Sequence, residues 1–182
     1  MKSYVGLDLS FSGTGFFLLR EDGSNKKLEI KTDPKNFTCL VKRTKYIAEK
    51  ILEALGNEEI ELILLEDCYA GGGVYAGTGL MLSALGTMVR DRLLANGYSY
   101  ITATPGQIKK FETGNGNAGK ELMLKCAYKN HHVDVTSNNV ADACAMAYFC
   151  KGYCEWKKGK TDFFKYQIEV LKGIKTPVEQ PY

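Results

Sequence analysis

The chain has 182 residues, 45% hydrophobic and 25% charged, with 24 Lys and Arg against 21 Asp and Glu for a formal net charge of +3. That length is enough to bury a core in one compact unit, and the near balance of charge excludes a strongly basic polyanion binder, so any nucleic-acid surface depends on where the cations sit. No stretch has the length and apolarity of a signal peptide or membrane span, which predicts a cytosolic protein whose six cysteines stay reduced.

Two apolar runs, Tyr4 to Leu9 and Gly15 to Arg20, flank Ser10-Phe11-Ser12-Gly13-Thr14 and predict a β-hairpin. Asp22-Gly23 predicts a turn into a third strand over Lys27 to Lys31. From Phe37 to Leu55, Leu40, Val41, Thr44, Ile47, Ala48, Ile51 and Leu52 recur at helical spacing, and Gly56-Asn57 closes the helix. Ile60 to Leu65 is nearly continuous in apolar residues and ends in Glu66-Asp67, as a strand covered on both faces would. A glycine-rich loop, Gly71 to Gly79, then leads to a helix over Leu80 to Ala95 and a fifth strand over Tyr98 to Thr102.

Thr104-Pro105 is a cap followed by proline at the first helical position, predicting a short helix through Phe111. Further helices are predicted over Lys120 to Lys129, over the alanine-rich Asn138 to Cys150 with an asparagine cap, and around Phe163 to Leu171. Right-handed crossovers place the fourth strand beside the first and parallel to it, giving an α/β fold on a five-stranded mixed sheet with helices on both faces. Residues 1–150 form this domain and 151–182 a polar, helical C-terminal extension of it. Cys39, Cys68, Cys126 and Cys144 read as small apolar fillers, and Cys150 and Cys154 share a helix face without a second ligand pair for zinc.

Alternation along the first strand puts Gly6, Asp8 and Ser10 on one face. An aspartate in an otherwise apolar central strand is costly unless paired or metal-bound. Glu66 ends the neighbouring parallel strand, and Asp142 lies one helical turn beyond Asn139 on the same helix face. Packing that helix across the sheet would bring four oxygen-bearing side chains together, a donor set suited to magnesium or manganese rather than zinc. Taken singly, Asp8 could cap a turn, Glu66 end a strand and Asp142 answer a helix dipole; their joint placement in one topology favours a site.

The segments Val5-Gly6-Leu7-Asp8-Leu9-Ser10 with Thr14-Gly15, Leu64-Leu65-Glu66, Pro105 through Lys120, and Asn139-Val140-Ala141-Asp142-Ala143 together resemble, in this order, the motifs of RuvC-type Holliday-junction resolvases of the RNase H-like nuclease superfamily. The resemblance implies an RNase H-like fold and a homodimer that cuts four-way or branched double-stranded DNA, in recombination and repair, in a bacterial or phage-infected cell. It implies metal ligation by Asp8, Glu66, Asn139 and Asp142, with two Mg2+ ions replaceable by Mn2+, and no nucleotide cofactor or membrane. Lys120 joins these as a catalytic cation, and Lys109, Lys110 and Lys120 would contact DNA. Tyr69 aligns with an aromatic that reaches bases at the crossover, though a partly buried loop aromatic is an equal reading. Gly71 to Gly73 could let a DNA backbone pass closely or simply form a flexible loop.

Asn139 departs from the resemblance, which expects a carboxylate or histidine there. An amide oxygen can ligate magnesium but brings no charge; His131, His132 and Asp134 just upstream could compensate or be ordinary loop residues. The alternative to an enzyme is a junction-binding protein with weak or no cleavage because of Asn139. Asp8, Ser10, Gly13 and Thr14 also resemble the first phosphate loop of actin-type ATPases, but that architecture needs two such domains. Simple RNase H activity would share the metal site and prefer an RNA–DNA hybrid.

Overall fold

The computed structural model describes residues 1–67, 76–135 and 137–179. Among these, β1 (Lys2–Asp8), β2 (Gly13–Arg20), β3 (Asn25–Lys31), β4 (Glu59–Glu66) and β5 (Tyr100–Ala103) form one sheet in the order β3-β2-β1-β4-β5. The first three strands pair antiparallel, and β4 and β5 continue the sheet in parallel with β1. The helices are α1 (Leu40–Leu55), α2 (Ala76–Ala95), α3 (Pro105–Thr113), α4 (Lys120–His131), α5 (Asn138–Lys157) and α6 (Lys165–Lys172). None of them is long and apolar enough to cross a membrane.

Period-two alternation sends the strand side chains to two covered faces of the sheet. Val5, Leu7, Ile63 and Leu65 face α1 and α2, where Ile47, Ile51, Leu55, Leu85, Val89 and Leu93 cover them. Tyr4, Leu62 and Leu64 face the other way, onto Met146, Phe149 and Tyr153 of α5. β1 and β4 are therefore apolar on both faces, so the polar residue ending each strand stands out against its surroundings.

Several boundaries move from their expected places. α1 begins at Leu40 because Pro34–Asn36 forms a 3-10 turn first, leaving Phe37 to pack its ring on Tyr46. α2 begins at Ala76 and runs through Gly77 and Gly79, which read as loop; the modest helix cost of glycine is outweighed by docking of the residues that follow. The cap of α5 is Ser137, not an asparagine, and its hydroxyl bonds Glu29 instead of the helix backbone. α5 also continues without interruption past Cys150 to Lys157, so residue 150 lies inside a helix. Among the cysteines, Cys144, Cys150 and Cys154 are buried, Cys126 is half-buried, and Cys39 is exposed at the start of α1 rather than a core filler.

Candidate active site

Asp8 and Glu66 are brought side by side by strand register. Leu7 pairs with Leu65 across the parallel β1–β4 ladder, so the next residue on each strand is an acid at the same edge of the sheet. Both line a cleft of about 360 Å³, together with Leu9, Asp67, Gly79, Leu82 and Pro105. Arg90 of α2 braces this edge: its guanidinium donates to the Glu66 carbonyl at 3.3 Å and lies 3.9 Å from the Asp67 carboxylate.

Asp142 arrives from the opposite side because glycines let α5 lie on the sheet. A Cβ on Gly6 would sit 2.0 Å from the Ala143 carbonyl oxygen, and one on Gly15 would sit 2.0 Å from that of Asn139. Gly15 is the register partner of Asp8, so the first turn of α5 lies directly beside the Asp8 row.

The electrostatics register this convergence. Burial, then the charges of Asp142 and Glu66, push the Asp8 carboxyl up to about 7, against a smaller opposing pull from Lys120. Burial and the charge of Asp142 raise Glu66, with Lys109 opposing. Burial also raises Asp142, with Lys109 and Lys120 opposing. The structure thus brings Asp8, Glu66 and Asp142 into one electrostatic unit facing two lysines. α3 positions Lys109, and its start is fixed by a reciprocal cap in which Gln107 N–H donates to Thr104 Oγ1 at 3.2 Å and Thr104 N–H donates to Gln107 Oε1 at 2.8 Å. Lys120 is exposed at the first turn of α4.

The three carboxylates, oxygen donors without sulfur or imidazole, suit a hard divalent cation. Among the described residues, no three His, Cys, Asp or Glu side chains close into a ready-made metal cage. The three acids feel one another's charge without closing on a common point, and a cation would offset that repulsion.

Other expected residues lie elsewhere. Lys110 is ion-paired with Glu169 of α6 at 2.9 Å. His131 bonds the buried Glu112 at 3.0 Å and stacks on Tyr148, so it does not reach the acidic cleft. Asp134 takes part through its backbone carbonyl, which accepts from Lys27. Tyr69, Cys68 and Gly71 to Gly73 lie outside the described residues.

Two contributors escaped the sequence reading. Arg90 is one charge among several on α2, and no local pattern marks it. Glu29 of β3 accepts a hydrogen bond from Asn139 Nδ2 at 2.8 Å. Burial pushes the Glu29 carboxyl up, but hydrogen bonds from Ser137, Lys31 and Asn139 hold it below the usual range. The Asp22-Gly23 hairpin does carry a signal for Glu29, because its register sets Glu29 opposite Gly15.

No family model and no curated protein match the sequence. Solved structures do. A structure of Thermus thermophilus RuvC superposes with a TM-score of 0.70 at 19% identity, covering 85% of this chain and 96% of that one. T. thermophilus RuvC in complex with Holliday junction substrate gives 0.70 at 17% identity, covering 86% and 96%. The chain has the RuvC-type, RNase H-like fold, as its motifs led us to expect.

Proposed function

We propose that the protein is a structure-specific endodeoxyribonuclease that resolves four-way or branched DNA junctions by metal-dependent phosphodiester hydrolysis. The observation that carries this reading is the convergence of Asp8 and Glu66, side by side at the ends of paired strands, with Asp142 of α5 close enough to raise both carboxyls and Lys109 and Lys120 set against them. The fold it shares with a protein solved with Holliday junction substrate supports the choice of DNA substrate.

Asp8, Glu66 and Asp142 would hold divalent magnesium or manganese, with the Asn139 amide oxygen as a neutral fourth donor. Bound there, the metal would supply an activated water and charge stabilisation for the leaving oxygen. Lys120, beside Asp8 and Asp142, and Lys109, beside Glu66 and Asp142, would hold the phosphodiester and offset the negative charge that builds on its oxygens. A two-fold dimer would present two such sites to a substrate with its own approximate two-fold symmetry.

The test is incubation of the protein with a synthetic four-way junction and Mg2+ or Mn2+, beside an unbranched duplex and an RNA–DNA hybrid. We expect paired, symmetric nicks in the junction that vanish in Asp8→Asn. Lys109→Ala and Lys120→Ala should each lower cleavage by about 10- to 100-fold with little change in melting temperature. Tight junction binding without nicks would favour the non-cleaving binder, preference for the hybrid would favour RNase H activity, and unchanged cleavage in both lysine variants would remove their assignment.

A further inference from the structure

We infer that Glu29, on the edge strand, is a positioning residue for the acidic site: it holds the Asn139 amide so that its oxygen, rather than its nitrogen, is presented toward Asp8. This rests on the metal-site reading above and concerns how the chain makes a neutral side chain serve in it.

Glu29, Gly15 and Asp8 occupy one row across three strands, because Gly15 pairs with Asp8 on one side and with Glu29 on the other. Residues paired across a ladder share a face, and Gly15 lacks a side chain in the middle of the row. Asn139 fills that gap, its backbone carbonyl lying over Gly15. Its backbone thus stands over the row between an acid on the outer strand and an acid on the central strand.

An ionised carboxylate can only accept hydrogen bonds, whereas an amide offers a donor on one side and an acceptor on the other. With Nδ2 donating to Glu29 Oε1 at 2.8 Å, the nitrogen side of the amide is committed to the edge strand, which leaves Oδ1 as the side free to accept or ligate. Without that acceptor, rotation about the last side-chain bond would let the NH2 group face the acids, where it cannot ligate a cation.

Glu29 does not depend on Asn139 for its own place, since Lys31 lies 3.2 Å from its other oxygen and Ser137 also bonds it. Gly13 lies against the same pair. A Cβ there would lie 2.7 Å from Glu29 Oε1 and 2.9 Å from Asn139 Nδ2, so a side chain would land on the hydrogen bond itself. Both atoms are ends of side chains, so Gly13→Ala displaces the pair while the backbone stays in place.

The experiment is titration of the full chain with Mn2+ alone, read by electron paramagnetic resonance, with a thermal melt of each variant. Removing an outer partner of a metal ligand commonly costs about 10-fold or more in affinity, so Glu29→Ala and Gly13→Ala should each weaken Mn2+ binding by about tenfold. Glu29→Gln keeps a carbonyl acceptor and should stay within about threefold of the parent. Asn139→Asp alone sets two carboxylates against each other and gains little. Combined with Glu29→Gln, which can donate, it should bind Mn2+ more tightly than the parent.

Parent-like Mn2+ binding in both Glu29→Ala and Gly13→Ala overturns the inference, as does a double variant no better than Asn139→Asp. If binding depends on Asp8 but ignores Glu29, only this inference falls. If the parent binds no Mn2+, or Asp8→Asn binds it equally, the metal-site reading falls and takes the inference with it.

Discussion

Asp8 carries a large part of the energetic cost of the site. Its carboxyl is pushed from an ordinary 3.8 up to about 7 by burial and by Asp142 and Glu66. Between those two values the folded chain keeps a proton that the unfolded chain has released, so stability falls as pH rises from about 4 to about 7 and the penalty is complete above that window. Asp8→Asn removes the penalty. It should melt like the parent below pH 4 and be more stable at pH 8 by on the order of 1–3 kcal/mol, as measured by paired thermal melts across that range. A variant less stable than the parent at pH 8 would show that the charge is not penalised in the fold. Adding Mn2+ at pH 8 should raise the melting temperature of the parent and leave Asp8→Asn nearly unmoved.

At the scale of elements, the site depends on how closely α5 approaches β1 and β2. Gly6 and Gly15 matter here through contact, since each occupies a place where a Cβ would meet a backbone oxygen of α5 at 2.0 Å. Backbone atoms cannot turn aside as a side chain can, so Gly15→Ala must lift the start of α5. We expect a loss of about 3 kcal/mol, at the upper end of overpacking costs, with Asn139 and Asp142 carried away from Asp8. Gly13→Ala, which meets only side-chain ends, should cost less than about 1 kcal/mol by the same reasoning. Chemical denaturation of the two variants side by side checks this, and equal losses would mean that the helix is not held where these contacts put it. The alternation that put Gly6 and Asp8 on one face was legible in the sequence, as were the cap and proline that start α3. The end of α5 was less legible: the helix expected to stop at Cys150 runs on through Gly152, which receives the Phe111 ring that a Cβ there would meet at 2.8 Å.

Over the whole molecule, the C-terminal segment is part of the same packed body. Tyr153 and Cys154 of α5 and Val170 and Leu171 of α6 are buried with Phe149 and Ile101 in one core, and Val178 bridges to Tyr100 on the edge strand. A chain ended at residue 150 would cut α5 midway and strip that core, so we expect it to lose the cooperative thermal transition of the full chain. A sharp transition in the shortened chain would show that 1–150 folds alone. The order of strands and helices, the acids at the ends of β1 and β4, and the place of Asp142 in an early turn of its helix can be read along the chain. All of these follow from repeats of two or of three to four residues, which each segment carries alone. That Asn139 is held by Glu29, 110 residues away, that His131 belongs to Glu112, and that Lys110 is paired with Glu169 emerges only in the folded chain. Such pairs form between side chains that meet only after the sheet has closed and the helices have docked, and no local spacing rule reaches that far.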